Sequence, residues 1–258
     1  MDILTEKSRL LWLSATMMLA MVGLTVLASS PKYSPVPVSA RSGDIFGPAC
    51  GIATIDGMVQ PVEWGIASTQ TFQMVRLGGG DPFTATLYVM NGGYYLYIGI
   101  TINDDEFSTF GQNLPQGDSL RIDFDNDHSG SLFALGDDVL VINAQPPQFD
   151  DRFISGGTSA SLDTDNGGSL DGAGAASRVG NLNHFEVRHP LCSGDSQDFC
   201  LHPTNFVGFR LEYLDAEANG SFGGSQYFPG SGDDSEADIE IGQCPIPDWF
   251  IYLSLIKK

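Results

Sequence analysis

The residues best suited to chemistry are aspartates set at short, regular intervals. Asp125, Asp127 and Ser129 alternate, and Gly130 follows at the sixth place of the run. Alternate side chains pointing inward, with a glycine permitting a sharp turn, form the first half of an EF-hand-type loop, and carboxylate and hydroxyl oxygens suit Ca2+. The twelfth place is Gly136 rather than glutamate, so Asp137 or Asp138 must supply the closing carboxylate. The competing reading is an Asx-rich turn with its carboxylates in water. A second, weaker run is Asp163, Asp165 and Gly167. Asp104 with Asp105 makes a third group, able to share an ion with Asp118.

Catalytic patterns are missing. There is no Gly-x-Ser-x-Gly and no His-Glu-x-x-His. His184 and His189 are five apart on an expected strand, so they face opposite ways and cannot chelate together. His184 and Glu186 share a face, which reads as an exposed polar face. His128 and His202 fall in loops and make no constellation. The expectation is a protein that is not an enzyme.

Strands must position the acidic loops. Leu96, Ile98, Ile100 and Ile102 alternate with Tyr95, Tyr97 and Thr101, and the next acids are Asp104 and Asp105. Leu120, Ile122 and Phe124 alternate with Ser119, Arg121 and Asp123, and lead into Asp125. A period of two marks half-buried strands. Similar segments are expected at 51–55, 71–76, 84–90, 139–143, 152–155, 175–179, 184–188, 207–214 and 238–241, with a short helix after Val62. With 31 glycines and 14 prolines, and no sustained helical period outside the N-terminal segment, the chain reads as all-β.

Charge and cysteines bound the setting. The 32 acidic and 12 basic residues of this 258-residue chain leave a net charge of −20, which repels nucleic acid and anionic lipid. Residues 1–40 read as a targeting segment. Lys7 and Arg9 precede an apolar run from Leu10 to Ala28, with small residues for cleavage at Val26 and Ala28 or at Val38 and Ala40. The run is nearly long enough to span a bilayer, so an uncleaved N-terminal anchor is the alternative. A Pro- and Ser-rich tether follows. In the oxidising setting that export implies, four cysteines form disulfides. Of three possible pairings, Cys192–Cys200 is favoured by the short loop between them, leaving Cys50–Cys244 to close the domain. In the chain-entropy model these contribute about 2–3 and about 5 kcal/mol.

The order of elements resembles the family 9 carbohydrate-binding modules and their DOMON-like relatives. The resemblance runs through Ala53-Thr54-Ile55-Asp56-Gly57, Glu63-Trp64, the strand at 95–102, and Gly117-Asp118-Ser119-Leu120 leading to Asp125. It continues through Phe185-Glu186-Val187, Pro190-Leu191, Tyr227 and Pro229-Gly230, and ends on the strand at 238–241. It implies a jelly-roll-like antiparallel β-sandwich over residues 41–244, followed by an apolar tail at 245–258. It also implies bound calcium and a sugar site in which rings stack on the sugar while amides and carboxylates bind hydroxyls. Trp64 reads as a core residue and Trp249 lies in the tail. The ring candidates are therefore Tyr94, Phe107, Phe110 and Tyr227, with Tyr88 and Phe228 behind them.

Three functions fit. The first is a secreted or cell-surface, calcium-stabilised module that binds a glycan or cell-surface polysaccharide. The second is a structural or adhesive protein that self-associates through its sandwich and tail. The third is a haem-binding electron carrier of the DOMON-like kind, with Met74 or Met90 and a histidine as axial ligands.

Overall fold

The structure, a computed structural model, describes residues 45–77, 81–110, 117–232 and 234–245. The targeting segment, the tether and the tail from Ile246 lie outside the described residues. Two sheets face each other. The larger runs β1 (Ile45–Phe46), β14 (Ala237–Glu240), β12 (Phe206–Ala216), β6 (Ser119–Asp125), β7 (Asp138–Asn143), β8 (Phe149–Gly156) and β9 (Ser159–Leu162). In addition, β13 (Phe222–Phe228) pairs with β12, and β3 (Val75–Arg76) pairs with β13. The smaller sheet runs β10 (Ala173–Val179), β11 (Leu182–Pro190), β5 (Tyr95–Asn103), β4 (Thr84–Gly92) and β2 (Ser68–Gln73). The fold is an all-β sandwich, as expected. Among the described strands the pairing is antiparallel except for β1 on β14, which is parallel, and an isolated parallel bridge joins Cys50 to Asn91.

Alternation fills the core. Leu96, Ile98, Ile100 and Ile102 of β5 meet Leu120, Ile122 and Phe124 of β6 in one cluster, every one at 2% exposure or less. Burial on this scale is worth about 1.5–3 kcal/mol per side chain.

The outer face of the smaller sheet is covered too. Residues 51–55, expected as a strand, instead belong to a strap that crosses this face and ends in a one-turn helix, α1 (Pro61–Trp64). Trp64, Met90, Tyr97, Val59 and Ala53 form a second small core there. Trp64 lies over Gly99, where a Cβ would stand 3.1 Å from the indole, so a larger residue would push the strap off the sheet.

Both expected disulfides form, Cys50–Cys244 and Cys192–Cys200. The first ties the start of the strap to the segment after β14. The second closes a loop that leaves β11.

Candidate functional site

The expected calcium loop comes together in part. Asp125, Asp127 and Asp137 each place a carboxylate oxygen within 4.8 Å of the others. Gly130 has φ +96°, which provides the sharp turn. Asp125 is fully buried, and its two oxygens accept the N–H groups of Ser129 (2.8 Å) and Gly130 (2.7 Å). Ser129 donates its hydroxyl to Asp125 at 3.3 Å. Asp137 closes the loop, accepting from Asn126 N–H at 3.2 Å and Ala134 N–H at 2.9 Å. Burial pushes its carboxyl up to about 7, against those two donors. Asp138 does not join this group. It begins β7 and, sharing the parity of Leu140 and Ile142, faces the sandwich interior while Asp137 faces the loop.

Asp104 and Asp118 do meet, and Asp215 of β12 makes a third member of the group in place of the exposed Asp105. Asp104 accepts the Tyr213 hydroxyl at 2.6 Å. Asp118 accepts the N–H groups of Ala216 (2.8 Å) and Ser108 (2.9 Å). All three carboxylates are at 3% exposure or less. Burial, reinforced by the neighbouring charges, pushes Asp118 and Asp215 up to about 7 and raises Asp104. A cleft of roughly 490 Å³ opens over Asp104 and Asp215, with Arg76, Arg178 and Phe83 among its walls.

The aspartate run at 163–167 divides. Asp165 is exposed, whereas Asp163 is buried and meets Asp195 and Asp198 of the Cys192–Cys200 loop. A fourth group is built from Asp138, Asp151 of β8, His189 of β11 and Asp198, all buried. Sequence reasoning set His189 aside because it faces away from His184, and its three carboxylate neighbours lie 9 to 51 positions away on other elements. The available signal was parity. Phe185 and Val187 are core residues, so His189 on the same face had to point inward as well. Burial lowers the His189 pKa, but the charge of Asp138 and the facing carboxylates of Asp151 and Asp198 outweigh it, so the pKa stands well above its ordinary value.

His184 and Glu186 do lie on the opposite face, yet that face is not exposed. Glu186 is fully buried beneath the strap. One of its oxygens accepts the Trp64 indole N–H at 2.7 Å, and the other accepts the N–H groups of Asp56, Gly57 and Met58. His184 Nδ1 accepts the Val59 N–H at 3.0 Å.

The four ring candidates do not converge. Tyr94 precedes β5 and Phe107 and Phe110 follow it, so they lie about 30 Å apart along the strand. Tyr94 and Phe110 are exposed, and Phe107 packs against the core beside Phe185. Tyr227 stands apart on β13, on the outer face of the larger sheet. It shares a cleft of roughly 280 Å³ there with Phe133, Arg121, Arg210, Glu212 and Ser231. Tyr227 donates its hydroxyl to Glu212 at 2.8 Å. The Arg210 guanidinium lies 4.8 Å from the Phe133 ring centre and 5.4 Å from that of Tyr227. Asp123 pairs with both Arg210 (2.9 Å) and Arg121 (2.6 Å). Two rings flanking charged donors and an acceptor can stack on a sugar and bind its hydroxyls.

Comparison with solved structures places the architecture. The fold is that of the family 9 carbohydrate-binding modules. A family 9 module from Caldicellulosiruptor kristjanssonii in complex with cellotriose superposes with a TM-score of 0.55 at 14% identity, covering 77% of this chain and 94% of that one. The module from the same organism in complex with glucose gives a TM-score of 0.56 at 15% identity, covering 78% and 97%. No family model matches the sequence, and no curated protein matches it. Among the described residues, no helix is long and apolar enough to cross a membrane.

Proposed function

We propose that this protein is an exported, non-catalytic module that binds a glycan, with its acidic loops held by calcium. The observation that supports it most is the likeness, over nearly the full length of those modules, to family 9 structures determined with cellotriose and with glucose. The cleft around Tyr227 is the sugar site. Tyr227 and Phe133 offer ring faces. Arg121 and Arg210 donate to hydroxyl oxygens, and Glu212 accepts from a hydroxyl. The salt bridges to Asp123 hold the two guanidinium groups in place before the sugar arrives, which reduces the ordering that binding must impose. Export is supported by the two disulfides, which persist in oxidising compartments.

Calcium is supported by the donor sets. Asp104, Asp118 and Asp215 offer oxygen only, are buried, and lie close enough to share one ion of the calcium size class. Asp125, Asp127 and Asp137 would hold a second. Several adjacent carboxylates out of water cost several kcal/mol of desolvation and repulsion, and a divalent ion offsets both.

Polysaccharide affinity gels and a glycan array test the reading. The wild-type protein is expected to be retarded by at least one polysaccharide, and Tyr227→Ala to lose about tenfold in affinity with its melting temperature unchanged. No binding to any glycan would defeat it. Binding that survives Tyr227→Ala and Phe133→Ala together would move the site elsewhere.

A further inference from the structure

We propose that Asp138, Asp151, His189 and Asp198 form a buried binding site for a first-row divalent transition ion, zinc or manganese. This is a centre chemically different from the oxygen-only groups and independent of the glycan reading.

The site stoppers one end of the hydrophobic core. Asp138 continues the inner face of β7, Asp151 that of β8, and His189 that of β11, and Asp198 comes from the loop closed by Cys192–Cys200. None of the four exceeds 8% exposure. The His189 ring packs edge-on against Phe199, with ring centres 4.8 Å apart, which holds the imidazole in one orientation. One ligand atom from each residue lies within 4.8 Å of all the others.

The hydrogen bonds orient these atoms and leave them unsatisfied. His189 Nδ1 stands 3.0 Å from the Pro190 carbonyl oxygen. That oxygen can only accept, so Nδ1 keeps a proton and Nε2 is the nitrogen left to bind an ion, giving up its own proton as it does so. Nε2 has no hydrogen-bond partner. It faces Asp151 Oδ2 at 3.6 Å and Asp198 Oδ2 at 3.5 Å. These gaps exceed those of an imidazolium–carboxylate hydrogen bond, about 2.8 Å. They match the roughly 3.4 Å between two ligands that each lie about 2.1 Å from a tetrahedral ion. Asp138 is fully buried, and neither of its oxygens accepts a hydrogen bond. Asp151 is pinned through Oδ2 by the Asp171 N–H at 2.7 Å, leaving Oδ1 without a partner.

The donor set selects the ion. Calcium takes oxygen ligands, whereas imidazole suits borderline ions. Three carboxylates and one imidazole together suit zinc or manganese. Asp163 and Asp195 share Asp198 with this site and add further negative charge beside it.

The test uses the full chain, stripped with chelator and held in millimolar calcium so that the oxygen-only groups are filled. Zinc or manganese is then titrated by calorimetry, and the manganese form is examined by pulsed EPR. We expect one equivalent to bind at least about tenfold more tightly than calcium competes, with nitrogen hyperfine coupling from one imidazole. In His189→Gln that coupling disappears and affinity falls by about 10–100-fold. If His189→Gln does not fold, Asp138→Asn keeps the volume and is expected to weaken binding by about tenfold. Failure of both ions to bind in excess calcium would overturn the site. So would manganese binding without nitrogen coupling, coupling that persists in His189→Gln, or binding unchanged in Asp138→Asn.

Discussion

Trp64 and Glu186, 122 positions apart, are joined by a 2.7 Å hydrogen bond from the indole nitrogen to Oε1, beneath the strap that covers the smaller sheet. The other Glu186 oxygen accepts three consecutive backbone N–H groups from Asp56, Gly57 and Met58. Hydrogen bonds to a charged acceptor are worth about 1.5–3 kcal/mol each. Glu186→Gln replaces one acceptor oxygen by a donor that must face either the indole or the strap N–H groups. It is expected to cost about 2–4 kcal/mol in urea unfolding, with Trp64→Phe somewhat less. A loss below half a kcal/mol in both variants would mean that the strap is not held at this point.

The chelated protein should become more stable as pH falls. Asp118, Asp137 and Asp215 are each pushed up to about 7 by burial. An acid whose folded pKa lies above its unfolded value, near 3.9, binds its proton more tightly in the native state. Stability is then greatest at the acid side of the window and declines as pH rises from about 4 to about 7. Melting in EDTA is expected to occur at a higher temperature at pH 5 than at pH 8. Millimolar calcium should narrow that gap by stabilising the pH 8 state. A melting temperature that falls between pH 8 and pH 5 in EDTA would contradict this.

Asp215 separates repulsion from ligation. It lies beside Asp104 and Asp118, whose charges help to raise it. Asp215→Asn is expected to raise the melting temperature in EDTA at pH 8 by removing one buried charge. The same change should reduce the increment that calcium adds. Differential scanning calorimetry with and without calcium reads both signs at once, and an unchanged calcium increment would remove Asp215 as a ligand.

The two disulfides should differ in weight. Cys50–Cys244 closes a separation of 194 residues and Cys192–Cys200 one of 8. Loop entropy predicts losses of about 5 and about 2–3 kcal/mol for the respective double Cys→Ala variants. Chemical denaturation ranks them. Equal losses would show that the short loop is held by its packing, with Phe199 inside the core, as much as by its sulfurs.

Much of this architecture can be read along the chain, because the relevant physics is local. Alternation at 96–102 and 120–124 assigned the inner faces of β5 and β6, and the same residues are buried in the structure. The cysteine spacings led to the pairing that forms. Asp125, Asp127 and Asp137 met because a short loop brings them together, and Asp104 met Asp118 because neighbouring strand ends do. Local pattern failed where the partner comes from a distant element. Residues 51–55 alternate like a strand, but their chain neighbours in Asp56, Gly57 and Met58 spend their N–H groups on a glutamate far along the sequence, not on a ladder. β13 was not among the strands expected from alternation, which two adjacent glycines, Gly223 and Gly224, interrupt. In the structure a Cβ at Gly223 would run into the Asp215 carboxylate, so glycine is there to admit an acid.

By itself, then, the sequence determined an all-β chain, its core faces, its sulfur bridges and the acidity of its loops, since each depends on residue type and short spacing. Only the tertiary structure decided which acids share a site, that Glu186 is buried, and that His189 points among three carboxylates. Those outcomes depend on strands β5, β7, β8, β11 and β12 being brought side by side, and strand order is set by the packing of whole faces rather than by any short stretch of the chain.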